Sequence, residues 1–221
     1  YEIMPSLVGS EMCIRDSTMI IIAYLLGSIP SAVWIGKKYY GIDIREYGSK
    51  NAGTTNMLRV LGRRAALPVF GLDFLKGFVA VTIIDLMKYD SVFADGANEN
   101  WFYILRFIAV FAAVVGHIFP IFANFRGGKG VAVTCAWLML YLPVTGVLCC
   151  LAGGVAVLLT GYLPVGAVLI AALAVPVGWL QYGTEAGAVL ALNAVIMFTR
   201  HWAGLQRIHR GEELQFFRPK L

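Results

Sequence analysis

Trp101 to Phe122 reads WFYILRFIAVFAAVVGHIFPIF, with only Arg106 and His117 able to carry charge. An apolar run of about 20 residues matches the helix length needed to cross a bilayer core. A helix at a soluble protein's surface would instead confine its apolar residues to one stripe. The same texture recurs at Thr18–Tyr40, Ala65–Met87, Val131–Leu142, Gly146–Thr160, Leu163–Leu180 and Ala186–Trp202. Seven apolar windows predict an all-α integral membrane protein, a single bundle of seven transmembrane helices. The fourth and fifth windows are short and are expected to form a hairpin broken at Leu142-Pro143, where proline removes an intrahelical hydrogen bond.

Composition agrees. Of 221 residues 59% are hydrophobic and 14% charged, against about 25% charged in an average soluble domain. Mean hydropathy is +0.73. The net charge of +5 is unevenly placed. Lys37, Lys38, Arg45, Lys50, Arg59, Arg63 and Arg64 follow the first window, Arg126 and Lys129 the third, and Arg200, Arg207, Arg210, Arg218 and Lys220 the last. The second connection is acidic, with Asp90, Asp95 and Glu99. The positive-inside rule then places the N-terminus outside and the C-terminus in the cytoplasm. The connection near Gly161-Tyr162 is uncharged and leaves that count neither supported nor opposed.

Residues 1–17 (YEIMPSLVGSEMCIRDS) show no helical or strand periodicity and read as a non-native or disordered leader, with Met19 the expected natural start. Residues 18–213 form the membrane domain and 214–221 a cytoplasmic tail. Cys13, Cys135, Cys149 and Cys150 contain no CxxC pair; packing, with no disulfide framework or zinc site, is expected of them.

In the assigned orientation the polar intramembrane residues collect near the cytoplasmic side. His117 lies about 24 Å down its helix from Trp101 at ~1.5 Å per residue. Asp73 and Lys76 share a helix face at i, i+3 and can pair. Ionisable residues at that depth are functional suspects, with a structural ion pair as the alternative. Asp85 and Arg106, nearer the outer ends, are expected to snorkel.

Two connections suit anions. Gly41–Arg64 reads GIDIREYGSKNAGTTNMLRVLGRR. Its glycines allow a backbone to approach phosphate, Ser49, Asn51, Thr54, Thr55 and Asn56 offer hydrogen bonds, and Arg59 can grip two oxygens. It contains little that would build a core. A solvated basic loop beside anionic lipid is the plainer alternative. Phe125-Arg126-Gly127-Gly128-Lys129-Gly130 leads into the fourth window, where free N–H groups, a helix dipole and a lysine would cradle phosphate. It is no Walker A loop, because Gly130 stands where Ser or Thr should follow Gly-Lys. Close packing explains Gly153-Gly154 and Gly166. No internal repeat of the kind seen in many transporters is evident; a carrier of a small organophosphate anion remains the alternative function, and a noncatalytic membrane scaffold a third.

The blocks Gly48-Ser49-Lys50-Asn51-Ala52-Gly53-Thr54-Thr55-Asn56 with Arg59, Asp73 with Lys76-Gly77, Gly116-His117 with Pro120, and Phe125 to Ala132 resemble the bacterial acyl-phosphate:glycerol-3-phosphate acyltransferases over residues 19 to about 213. The resemblance implies a seven-helix enzyme of the cytoplasmic (inner) membrane. It would move an acyl group from acyl phosphate to the 1-hydroxyl of glycerol 3-phosphate and form lysophosphatidic acid, in phospholipid synthesis. Ser49, Arg59 and Lys129 match active-site positions, and His201 a functional histidine. Two departures stand out: Gly204 and Leu205 replace an Asn and an Ile after that histidine, and Gly161–Gly166 replaces a basic, serine-containing turn.

The expected site comprises Ser49, Arg59, Lys129, His117 and His201 as catalytic groups. Gly48, Asn51, Gly53, Thr55, Asn56, Gly127, Gly128, Gly130, Lys76 and Asp73 are expected to hold substrate or phosphate. No metal or cofactor is expected, since an acyl phosphate is already activated and placement with charge stabilisation suffices. His117, His201 or the substrate's own phosphate could take the hydroxyl proton. Expected partners are the two substrates and membrane lipid, with no nucleic acid, and the chain is expected to be a monomer.

Overall fold

The computed structural model describes residues 3–88 and 99–216, and every regular element among them is helical. Asp90 and Asp95 of the acidic connection lie outside the described residues. Among the described residues, five stretches are long and apolar enough to cross a membrane: Cys13–Tyr40, Arg63–Ile83, Ile104–Ala123, Pro143–Thr160 and Leu163–His209. The chain divides into two units, one ending at Gly128 and one beginning at Lys129.

The first unit contains α1 (Ile3–Gly27), α2 (Ser31–Tyr40), α3 (Thr54–Leu61), α4 (Arg63–Lys88) and α5 (Glu99–Ile118). Residues 3–17, expected as part of a non-native or disordered leader, are helical, since α1 is continuous from Ile3. Extending a helix already formed costs far less than nucleating one, so the apolar segment carries its helix backwards into a weakly patterned leader. The window Thr18–Tyr40 is itself broken at Ser28–Pro30. Pro30 has no N–H and disfavours helical backbone at Ile29, and the chain restarts as α2.

Small residues let α1 approach α5. A Cβ on Gly27 would collide with the carbonyl of Ala113, and one on Gly116 with the carbonyl of Tyr24. Such reciprocal contacts are how membrane helices gain packing without a hydrophobic drive between them. Tyr24 adds a hydrogen bond from its hydroxyl to the Phe119 carbonyl at 2.9 Å. Between α4 and α5, Asp85 and Arg106 form an ion pair. This corrects the snorkelling expectation; in a poorly solvated setting two opposite charges gain more from each other than from separate excursions.

The second unit contains α6 (Val131–Tyr141), α7 (Pro143–Thr160) and α8 (Leu163–His209). The break at Leu142-Pro143 is found as expected, with Pro143 in the first turn of α7, where a missing N–H is harmless. The sixth and seventh windows fall in α8, which is interrupted at Gly183 (φ 86°, ψ −173°). That left-handed, non-helical geometry suits glycine. Gly153 of α7 and Gly166 of α8 pack on each other, as read from the sequence, but Gly154, read in the same way, is corrected: a Cβ there would meet no atom within 4 Å. The N–H of Phe216 donates to the Gly161 carbonyl at 2.7 Å. The uncharged fifth connection therefore lies at the same end of this unit as the segment following α8.

Candidate active site

The loop before α3 is better built than its polar sequence suggests. Ile44 and Met57 are fully buried and, with Ala52, pack on Ala32 and Val33 of α2 and on Ala65 and Val69 of α4. The expectation of a loop without a core is thus corrected. Met57, Leu58 and Leu61 fall at helical spacing on α3, so one face of this short helix is apolar while Arg59, half-buried, leaves on another.

Asn56 holds the turn. It is fully buried, and its Nδ2 donates to the carbonyls of Ile44, Tyr47 and Asn51, each at 3.0 Å, while Oδ1 accepts the Ser49 N–H at 2.9 Å. Expected as a substrate ligand, Asn56 instead spends its amide on the backbone around it. Gly48 (φ 56°) lies so close to Asn56 that a Cβ would strike its Oδ1. Lys50 also has positive φ, 58°, a conformation uncommon outside glycine. These constraints present Ser49 at the exposed tip. Gly53 starts α3 with no side-chain cap, and Asn51 and Thr55 are half-buried nearby.

The break between α1 and α2 explains Asp73 and Lys76. Lys76 Nζ donates to the Ile29 carbonyl released by the break, at 2.8 Å, and pairs with Asp73 Oδ1 at 2.9 Å. Ser31 donates its hydroxyl to the same carboxylate oxygen at 3.0 Å. Both ions are at least 95% buried. The pair thus serves as a frame that satisfies an interrupted helix, in keeping with the requirement that backbone polar groups at membrane depth find partners. His117 stands beside it, Nδ1 3.6 Å from Asp73 Oδ1.

The glycines after α5 are used differently from expectation. The N–H of Gly128 donates to the His117 carbonyl at 3.0 Å and that of Gly127 to the Ile118 carbonyl at 3.2 Å. Neither glycine has positive φ. A Cβ on Gly127 would collide with the His117 carbonyl, and one on Gly128 with the His117 ring. Their N–H groups are thus engaged in folding the segment back on α5, which corrects the free-donor cradle. Positive φ occurs instead at Asn124 (53°), Phe125 (57°) and Gly130 (87°).

In the second unit Gly130 precedes α6, and Val131 packs against Ala167, Ala171 and Met197. One turn beyond Met197, His201 is 3% exposed and its Nδ1 lies 2.8 Å from the Met197 carbonyl. A carbonyl only accepts, so Nδ1 carries a proton, and in the neutral ring Nε2 is then the acceptor. The charges of Lys129 and Arg200 both reach His201. Within this unit Lys129, expected as a catalytic group like His201, is thus near enough for its charge to act on the His201 ring. Sequence reasoning missed Ser31, Asp43 and Arg45; the Asp-x-Arg spacing ahead of the glycine turn was the available signal.

Apolar helices with a buried ionic frame, a rigid serine-tipped turn and a lysine beside a histidine define a multi-pass membrane protein equipped for polar chemistry. Residues 17–211 match the family model described as glycerol-3-phosphate acyltransferase. A relative of that name from Listeria monocytogenes is 39% identical over 203 residues, 91% of this chain and 97% of its own length. Another, from Enterococcus faecalis, is 36% identical over 205 residues, covering 88% and 89%. The chain belongs to the glycerol-3-phosphate acyltransferase family. Its fold is similar to crystal structures of PlsY (YgiH), an integral membrane glycerol 3-phosphate acyltransferase. The glycerol 3-phosphate form gives a TM-score of 0.77 at 28% identity, over 91% of this chain and 96% of that one. For the lysophosphatidic acid form the TM-score is 0.74, over 91% and 95%.

Proposed function

We propose that this protein transfers a fatty acyl group from acyl phosphate to the 1-hydroxyl of glycerol 3-phosphate, from the cytoplasmic face of a seven-span bundle in the bacterial inner membrane. The N-terminus is outside and the C-terminus inside. The observation that carries the reading is the Ser49 turn: an exposed hydroxyl on backbone locked by a buried asparagine, with Arg59 following on α3. Family membership and the two PlsY structures support it. The break within α8 at Gly183 and the short α6 are consistent with seven crossings.

In the reaction the glycerol hydroxyl oxygen attacks the acyl carbonyl carbon, the carbon–oxygen bond to phosphate breaks, and the hydroxyl proton ends on the departing phosphate. Charge and the loss of a proton therefore balance without a covalent acyl-enzyme. Arg59 and Lys129 supply positive charge to substrate phosphates, where a charge-assisted bond is about twice as strong as a neutral one. Ser49 hydrogen-bonds a phosphate oxygen. His201 offers Nε2 to a substrate hydroxyl. Thr55, Asn51 and the glycines Gly48, Gly53, Gly127, Gly128 and Gly130 shape the backbone around these groups. Purified protein in detergent, given palmitoyl phosphate and glycerol 3-phosphate, is expected to release inorganic phosphate and form lysophosphatidic acid, and to form none from palmitoyl coenzyme A. Product from the thioester alone would overturn the donor assignment.

A further inference from the structure

Arg45 joins the two irregular segments of the first unit. Its Nε and Nη2 fork onto the carboxylate of Asp43 at 2.9 and 2.7 Å. Its Nη1 crosses to the Ala123 carbonyl at 2.7 Å, with the Arg126 carbonyl at 3.5 Å. Asp43 also accepts the Arg45 N–H at 3.1 Å and has Lys37 Nζ 3.3 Å away. The two side chains retain only 12% and 13% of their exposure. The Arg45 guanidinium holds the Asp43 carboxyl below the usual carboxylate range, against the opposing effect of burial.

Each segment needs such a tie. Lys50 on one side and Asn124 and Phe125 on the other adopt positive φ, which persists only where the surroundings enforce it. The Ala123 carbonyl, which also accepts the Arg126 N–H at 3.2 Å, sits immediately before that second turn. An arginine fork is rigid enough to hold a carboxylate and a carbonyl at once.

We propose that Arg45, aimed by Asp43, is a positioning residue that clamps residues 41–53 to residues 119–128, setting the distance between the Ser49 turn and Gly127-Gly128 without touching substrate. Its nitrogens point to protein oxygens, and an anion approaching the guanidinium would meet the Asp43 carboxylate. The kinetic consequence rests on the acyl transfer proposed above; the clamp itself does not.

The test combines kinetics with backbone hydrogen exchange in the wild type, Arg45→Gln, Arg45→Lys, Asp43→Asn and the double variant Asp43→Asn/Arg45→Gln. Arg45→Gln is expected to raise KM for glycerol 3-phosphate about tenfold, the loss of roughly one charge-assisted bond, with kcat changed less than about threefold. Lysine should rescue in part, since one ammonium cannot fork and cross. Asp43→Asn should raise KM in the same direction, and the double variant should be no worse than Arg45→Gln. Exchange in residues 120–128 should quicken about tenfold in Arg45→Gln while that of α4 is unchanged. A lower KM in Asp43→Asn, or additive effects in the double variant, would make Arg45 a direct substrate ligand and overturn the proposal. Unchanged exchange in 120–128 would overturn it as well. A wild type that forms no lysophosphatidic acid would sink the acyl-transfer reading, and the exchange comparison would still decide the clamp.

Discussion

Replacing Asn56 by alanine removes the whole network of its amide: the two Nδ2 hydrogens shared among the carbonyls of Ile44, Tyr47 and Asn51, and the bond from the Ser49 N–H to Oδ1. The bond to Ile44 is fully buried, and the other three are reachable in part by water. An orphaned buried group costs ~1–3 kcal/mol and a partly solvated one less, so the loop should lose about 4 kcal/mol. Asn56→Asp is the sharper probe. It keeps an acceptor for the Ser49 N–H and substitutes a second acceptor for the amide that faces three carbonyl oxygens. Aspartate should therefore be at least as damaging as alanine despite its matching shape. Thermal unfolding of purified protein in detergent, followed by steady-state kinetics below the transition, measures both effects. The expected order of stability is Asn, then Ala, then Asp, with Ser49-dependent activity lost in parallel. An alanine variant that unfolds at the wild-type temperature and shows only a raised KM would refute the scaffold assignment and restore Asn56 as a ligand.

Arg59→Ala and Lys129→Ala should each lower turnover about 10- to 100-fold, the equivalent of ~1.5–3 kcal/mol for one charged hydrogen bond, while unfolding temperature is retained; normal kinetics in either would remove that residue from the site. Gly127→Ala should both destabilise the protein and raise KM for glycerol 3-phosphate, because the obstructing atoms belong to the His117 backbone and cannot rotate away. Gly153→Ala, which meets the Ile170 side chain and the Gly166 carbonyl, should cost stability alone, so equal KM changes in both variants would argue against the distinction. Asp43 ionises below its unfolded value, so its contribution is complete above the ordinary carboxylate pKa of about 4 and is lost only as pH falls through the lower folded value. The stability gap between wild type and Asp43→Asn should accordingly stay constant from pH 8 to 5; a gap that closes near pH 6 would contradict the ion pair.

The helices were legible because membrane spans are written in long apolar runs, and the break at Pro143 was read from the sequence; the break at Pro30, inside the Thr18–Tyr40 window, was not, since Pro68 and Pro176 sit within continuous helix and a proline alone does not mark one. The helical course of residues 3–17 was not legible, since propagation from a neighbouring apolar segment leaves no periodicity of its own. Ile44 and Met57 were overlooked for the opposite reason: a few apolar residues scattered among Gly, Asn and Thr do not resemble a core until α2 and α4 supply the rest of it.

At the candidate site the sequence carries residue types but not their partners. Side-chain chemistry is local and survives in sequence, whereas the use of a hydrogen bond depends on which carbonyl lies opposite. Asp73 and Lys76 show this. Their i, i+3 spacing predicted the pair, but nothing in that spacing reveals that Pro30, more than forty positions earlier, frees the Ile29 carbonyl that Lys76 must satisfy. Asn56 and Gly127 behave in the same way, with donors read as outward that fold inward on their own backbone.

The two positions at which the resemblance implies a different residue are related by the same logic. Gly204 and Pro164 lie at opposite ends of α8 in sequence, yet a Cβ on Gly204 would come within 2.8 Å of Pro164 Cγ. The break at Gly183 folds the helix so that its first and last turns meet, and Phe216 bonding to Gly161 closes the same end. Proline fills space that a longer side chain at 204 would occupy, and glycine is what allows proline to sit there. The two positions therefore constitute one change in packing, one turn beyond His201. His201 keeps its own anchor through this exchange, because its Nδ1 is held by the Met197 carbonyl, on the side of the histidine away from Gly204 along the helix. Whatever stands at 204, the His201 ring is thus oriented by its own turn of helix.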